Sequence, residues 1–162
     1  MLCSMVEQDE KQSSIDFIEN LASYYRSMIR RRNTRRISID DELATMNDYI
    51  SIVSKHYGPQ LEVKVIKDNS QSHFCVPFSL QLLVENALKH NVISKESPMC
   101  ITVAIDKEGI TVTNSHTPKP VTDRRTGGLG LSYLRNMYSE FGHSVRIDNE
   151  GGIFRVTLPA TI

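Results

Sequence analysis

Two stretches near the start of the chain carry apolar residues at three- and four-residue spacing. Over about Ser14 to Arg31 these are Ile15, Ile18, Leu21, Tyr25, Met28 and Ile29. Over about Asp40 to Tyr57 they are Leu43, Met46, Ile50, Val53 and Tyr57, in a strict 3-4-3-4 rhythm. Both patterns predict helices, and the second predicts a narrow seam of the kind that packs against other helices. Ser38 is placed to cap the second helix, with Asp41 as a short capping-box partner. A turn at Asn33-Thr34 would make the pair a hairpin. Ordinary bundle packing explains the seam, and a dimer interface along it stays open as a second use.

After Gly58-Pro59 the period falls from helical to two. Leu61, Val63 and Val65 alternate with Glu62, Lys64 and polar neighbours up to a turn at Asp68-Asn69, which predicts a strand and marks a domain boundary. Helical spacing returns over Phe78 to His90, where Pro77 stands near the start and Leu80, Leu83, Val84, Ala87 and Leu88 form the inner face. Strands are predicted at Cys100 to Ile105 and Ile110 to Asn114, joined by a turn at Asp106 to Gly109. The segment from His116 to Thr126 reads as a loop. A helix over Leu129 to Phe141 would bury Leu131, Leu134, Tyr138 and Phe141. The last pair of strands, Ser144 to Asp148 and Ile153 to Leu158, turns at Asn149 to Gly152. The whole predicts an α+β fold: a helical hairpin over 1–57, then a two-layer α/β sandwich over 58–162 whose mixed sheet is covered on one face by two helices.

Composition narrows the classes of function. The chain has 162 residues, with 19 basic and 19 acidic side chains. A balanced charge argues against general nucleic-acid binding. Cys3, Cys75 and Cys100 are odd in number and scattered, so neither a disulfide framework nor a zinc site is expected, and a reducing compartment is. No apolar run approaches the roughly 20 residues that cross a bilayer, and Glu7, Asp9 and Glu10 do not suit a signal peptide. The cluster Arg30, Arg31, Arg32, Arg35 and Arg36 fits a solvated helix end; an acidic partner or a lipid headgroup is the other reading.

The chemistry concentrates in two segments. Leu82 to His90, LLVENALKH, places Asn86 one turn from Lys89 and His90. An amide oxygen suits Mg²⁺ and a lysine suits phosphate, although Lys and His also favour any helix C-terminus. Further along, Thr126-Gly127-Gly128-Leu129-Gly130-Leu131 joins three glycines to an immediate helical pattern. Such a turn lets backbone N–H groups approach a phosphate closely. Together the segments point to an ATP site.

The order VPFSLQLLVENALKH, a strand ending TVTNS, a loop, TGGLGLSYLRNMY and GGIFRVTLP closely resembles the ATP-binding (Bergerat-type) catalytic domain of LytS/YehU-type sensor histidine kinases. These belong to the wider group that includes gyrase, MutL and the large heat-shock chaperone. The resemblance runs from about Ile15 to Leu158. It implies ATP and Mg²⁺ as cofactors, with Asn86 as the metal ligand and Lys89 and His90 beside the phosphates. Glu85 would be a catalytic neighbour in a supporting polar or metal-linked role. Asn114 falls where the first glycine box has an adenine-binding Asp, and His116 stands where that box has Gly, which leaves the adenine contact open. Gly128 and Gly130 match the second glycine box, so Thr126, Gly127, Gly128, Leu129, Gly130 and Leu131 would line the phosphates. The loop from His116 to Thr126 resembles a shortened lid in which Arg124 or Arg125 would meet the γ-phosphate.

Hydrolysing relatives carry a water-polarising carboxylate one turn before the Asn. Leu82 occupies that turn here, so transfer to a protein side chain is expected rather than rapid hydrolysis. The family's phosphoacceptor His lies just before the residues that resemble Met5 to Ser14, and no His precedes His56. The expectation is therefore a piece of a longer sensor, the cytoplasmic portion of an inner-membrane protein. The whole protein would be a homodimer that serves a response regulator and binds no nucleic acid. Residues 1–57 would be the remnant of its dimerisation and phosphoacceptor region. The rival readings are a nucleotide-responsive interaction module without transfer, a serine-kinase anti-sigma factor, and a sandwich without a ligand.

Overall fold

A computed structural model describes residues 15, 18–19, 21–23, 26, 29, 34–68, 73–119 and 129–159. In chain order the elements are β1 (Ile37–Ser38), α1 (Ile39–Tyr57), a 3-10 turn (Gly58–Gln60), β2 (Leu61–Lys67), β3 (Phe74–Cys75), α2 (Ser79–His90), β4 (Met99–Asp106), β5 (Gly109–Ser115), α3 (Leu129–Glu140), β6 (Arg146–Glu150) and β7 (Ile153–Pro159). Ahead of them, the described residues of the first expected helix, among them Ile15, Ile18 and Leu21, are helical. Tyr25, Met28 and the cluster members Arg30 to Arg32 lie outside the described residues. Arg36 places its guanidinium 5.4 Å from the Phe74 ring, and Arg35 stands 4.0 Å from Glu140.

Helix α1 starts where its capping chemistry requires. Ser38 is extended, and its Oγ accepts the N–H of Asp41 at 3.2 Å. Asp40, Asp41 and Glu42 occupy the first turn and Lys55 and His56 the last, each complementing the helix dipole. The helix stops at Gly58, which takes a φ of 57° open to glycine at little cost and returns its N–H to the Ser54 carbonyl.

Five strands form one sheet in the order β2-β4-β5-β7-β6. β2 and β4 run parallel, with Leu61 opposite Met99, and α2 makes the crossover between them. The other pairs are antiparallel, so the sheet is mixed, as expected. Alternation decides the faces. In β4, Met99, Ile101, Val103 and Ile105 are buried while Cys100, Thr102 and Ala104 are half-buried. Ile110 and Val112 of β5 and Val156 and Leu158 of β7 join the buried face. Leu80, Leu83, Val84, Ala87 and Leu88 of α2 and Leu134 and Tyr138 of α3 cover it.

Ile39 and Met46 of α1 belong to that same buried cluster, and Ile37 pairs with Cys75 in a two-residue ladder. Residues 37–57 therefore pack as part of the sandwich. The change of period at Gly58-Pro59 marks the passage from helix to strand, and the core continues across it. The final hairpin turns within the expected Asn149 to Gly152, tightened to Gly151 and Gly152, both with positive φ, the requirement of a two-residue loop between twisted strands.

Candidate functional site

A cavity of about 260 Å³ opens between the two helices and the end of the sheet, lined by Asn86, His90, Asn91, His116, Pro118, Lys119, Leu131 and Phe154. Four separate pieces of chain meet there. Asn86 and His90 come from one face of α2, four residues apart and so one above the other. Leu131 comes from the first turn of α3. The described start of α3, Gly130 and Leu131, thus stands beside the ENALKH helix. Gly130 confirms how close the approach is: a Cβ there would lie 3.7 Å from Leu82 Cδ2, an ordinary contact.

Lys89 and Glu85 are exposed and share a different face of α2, outside the cavity lining. Arg124, Arg125, Thr126, Gly127 and Gly128 lie outside the described residues, and Leu129 is described only as the first residue of α3. Asn114 is 4% exposed, at the floor of this end of the sheet. Its Nδ2 donates to the Ser115 carbonyl at 2.6 Å, which leaves Oδ1 as its acceptor.

Asn114 pairs with Phe154 across β5 and β7, so both side chains rise on the helix-covered face. His116 follows with the same parity. Its ring stacks on Phe154 with centroids 6.1 Å apart and planes at 28°. Its N–H donates to the Gly152 carbonyl at 2.8 Å. In the place where the resemblance expects glycine, the protein has a ring that forms one wall of the cavity.

The other wall is tied to α2 at its C-terminus. Asn91 Nδ2 donates to the Ala87 carbonyl at 2.9 Å, and Oδ1 accepts the Thr117 N–H at 2.7 Å. The Lys119 N–H donates to the His90 carbonyl at 3.0 Å, and its Nζ to the Leu88 carbonyl at 3.1 Å. The last turn of α2 thus finds partners for carbonyls that the helix leaves open. Burial, with the positive charges of Lys89 and Lys119, lowers the His90 pKa below its usual value. Lys119 and the His90 ring, in one lining with the Asn86 carboxamide, make a site suited to a polyanion.

Among the described residues no group of three or more His, Cys, Asp or Glu could hold a metal. Mg²⁺ does not require one. It takes one or two protein oxygens and completes its shell with phosphate and water. The Asn86 carboxamide in the cavity wall fits that role.

Sequence reasoning missed Asn91, Pro118, Lys119 and Phe154. Asn91 stands directly after the helix, a position where a carboxamide can bond both ways. Phe154 carries the parity of Val156 and Leu158. Both signals were present in the sequence. Pro118 and Lys119 enter through an isolated bridge between Asn91 and Pro118 that only the fold creates.

Residues 1–61 match the family model described as histidine kinase. Sensor histidine kinase/phosphatase LytS of Staphylococcus aureus strain MRSA252 is 26% identical over 97 residues, 59% of this chain and 17% of the relative. The chain therefore spans 17% of the length of the curated relatives it matches. Among solved structures, a nucleotide-free form of the catalytic domain of histidine kinase ThkA gives a TM-score of 0.56 at 16% identity, covering 78% of this chain and 99% of that one. The cytoplasmic segment of histidine kinase QseC gives 0.54 at 16%, covering 93% and 94%. The histidine kinase domain of the blue-light activated kinase of Erythrobacter litoralis gives 0.53 at 17%, covering 96% and 83%.

The fold is that of histidine kinase catalytic domains, α+β with a mixed five-stranded sheet. Within that class the sequence is similar to sensor histidine kinase/phosphatase LytS, the resemblance drawn from its motifs. No helix among the described residues is long and apolar enough to cross a membrane.

Proposed function

We propose that this chain is the ATP-binding catalytic portion of a sensor histidine kinase, which directs the γ-phosphoryl group of Mg·ATP to a histidine outside this sequence. The observation that carries the reading is the shared cavity of Asn86 and Leu131, two residues from distant segments, with Lys119 and His90 in the same lining.

Each residue has a role that its chemistry supports. Asn86 would hold Mg²⁺ through Oδ1, and the metal, when bound, neutralises charge on the phosphates. Glu85, exposed one position before, would reach the metal shell only through water. His90, Lys89 and Lys119 would attract phosphate oxygens, and the N–H groups at 127–131 would cradle them at the start of α3. Arg124 or Arg125 would meet the γ-phosphate. Asn114 Oδ1 would accept the adenine amino group, with the base lying against the His116–Phe154 wall. In the transfer, the bond from the γ-phosphorus to the bridging oxygen breaks, a phosphorus–nitrogen bond to imidazole forms, and ADP leaves. Catalysis is positioning and charge neutralisation. Leu82 places an aliphatic side chain one turn before Asn86, so no carboxylate there activates water.

By this reading the whole protein is a dimeric inner-membrane sensor with a response regulator as partner, and the N-terminal helical residues are the remnant of its dimerisation region. A second reading, a nucleotide-responsive module that transfers nothing, is favoured by His116 standing at the first glycine box. A longer form of the protein that carries the upstream histidine, given γ-labelled ATP, separates them. The kinase reading expects label on histidine, lost in Asn86→Ala. Nucleotide binding without label supports the module.

A further inference from the structure

Helix α2 begins without a cap of its own. Phe78 occupies the N-cap with a φ of 66°, the one non-glycine residue with positive φ among those described, and its side chain accepts no hydrogen bond. That conformation is unfavourable for a bulky residue and persists only where the surroundings impose it. The surroundings here are a carboxylate from another helix. Glu42 of α1 is fully buried. Its Oε2 accepts the Phe78 N–H and its Oε1 the Leu80 N–H, both at 2.9 Å. A buried carboxylate is costly unless donors surround it, and the N-terminus of a helix supplies both donors and positive dipole. The contact joins residues 36 and 38 positions apart in the sequence.

Both helices continue the connection. On α1, Asp48 Oδ2 accepts the Ser23 hydroxyl at 3.2 Å from the N-terminal helical residues. On α2, Asn86 lies about 12 Å along the axis from Phe78, at 1.5 Å per residue, and a helix of this length moves as one body. At its far end α2 is held by Asn91 and Lys119.

We propose that Glu42 is a positioning residue: its two-pronged grip on the start of α2 makes the placement of Asn86 and His90 depend on the placement of α1. A displacement of α1 relative to the sheet is then passed to the cavity through this carboxylate. The consequence for nucleotide rests on the proposed function; the mechanical link does not.

Amide hydrogen exchange on the 162-residue protein tests the link. Glu42→Gln keeps the shape and one acceptor but turns an N–H₂ group toward the second donor. The expected result is exchange about tenfold or more faster across α2, with β4 and β5 keeping their protection. A contribution to global stability alone would accelerate helix and sheet by the same factor, and that result, or unchanged α2 exchange, overturns the proposal. Glu42→Asp keeps the charge on a shorter arm and is expected to fall between the two; it serves the same comparison if Glu42→Gln does not fold. In parallel, Mg·ATP titration is expected to show about tenfold weaker binding in Glu42→Gln. Equal affinity with a loosened α2 would overturn transmission to the site. No binding by the unaltered protein would instead sink the nucleotide reading, and hydrogen exchange would still decide the link.

Discussion

Asn91 holds Thr117: its Oδ1 accepts the Thr117 N–H at 2.7 Å while its Nδ2 donates to the Ala87 carbonyl one turn back in α2. One buried carboxamide thus ties the end of the Asn86 helix to the segment that follows β5. Replacing it with leucine removes the side-chain partner of the Ala87 carbonyl and of the part-buried Thr117 N–H. The expected cost is about 1–3 kcal/mol of stability, read as a lower denaturant midpoint with an unchanged slope. Nucleotide affinity should fall with it, because Pro118 and Lys119 lose their anchor.

Gly130 separates stability from binding. Its position inside α3 has ordinary space toward Leu82, so Gly130→Ala should be tolerated and should stabilise the protein by about 0.5–1 kcal/mol through helix propensity. If the start of α3 receives phosphate, the added methyl obstructs close approach. A stabilised variant that binds Mg·ATP about tenfold more weakly is expected. A stabilised variant with unchanged affinity would place the phosphates elsewhere.

His90 gives the fold a pH dependence of known sign. Burial and the charges of Lys89 and Lys119 lower its folded pKa below the ordinary 6.5. Between those two values the unfolded chain binds the proton and the folded chain does not, so stability is full above 6.5 and declines as pH falls toward the folded value. Chemical denaturation from pH 7.5 to 5 should show that decline. His90→Asn should remove this component of it. A bound polyanion should raise the His90 pKa, so that Mg·ATP binding takes up protons in mildly acidic buffer.

Asn114 carries the base preference. One Nδ2 hydrogen is engaged by Ser115, which fixes the carboxamide with Oδ1 as the acceptor that suits the adenine amino group. The expected order is ATP over GTP, and Asn114→Ala should reduce that preference about tenfold in a competition assay. Unchanged discrimination would remove Asn114 from the base-reading role.

Much of this architecture was legible in the sequence because its signals are local. The period of the Leu80 to Leu88 apolar set, the alternation in β4 and the Ser38 cap each report on a few neighbouring residues, and each appears where expected. The Asn86 and Leu131 segments were joined by motif resemblance, and the two residues line one cavity. Relationships set by chain crossings were not legible. Nothing in the local pattern around Glu42 announces that its carboxylate reaches Phe78 and Leu80. The ladder of β1 and β3 is two residues long and has no period to read. The helical seam of α1 identified a packing face correctly but not its partner, because Leu43, Met46 and Ile50 carry the same pattern whether they meet another bundle helix or the core of the sandwich. Lys119 belongs to the site because a bridge folds it back over α2, a consequence of tertiary structure alone.

The central claim is that Asn86 holds a metal at a triphosphate bound between α2 and the start of α3. Titration calorimetry with ATP, in the presence and absence of Mg²⁺, on the unaltered chain and on Asn86→Ala tests it most directly. The account predicts that Mg²⁺ strengthens ATP binding to the unaltered chain and makes little difference to Asn86→Ala. Binding to the unaltered chain that is indifferent to Mg²⁺, or equal gains from Mg²⁺ in both proteins, would contradict it.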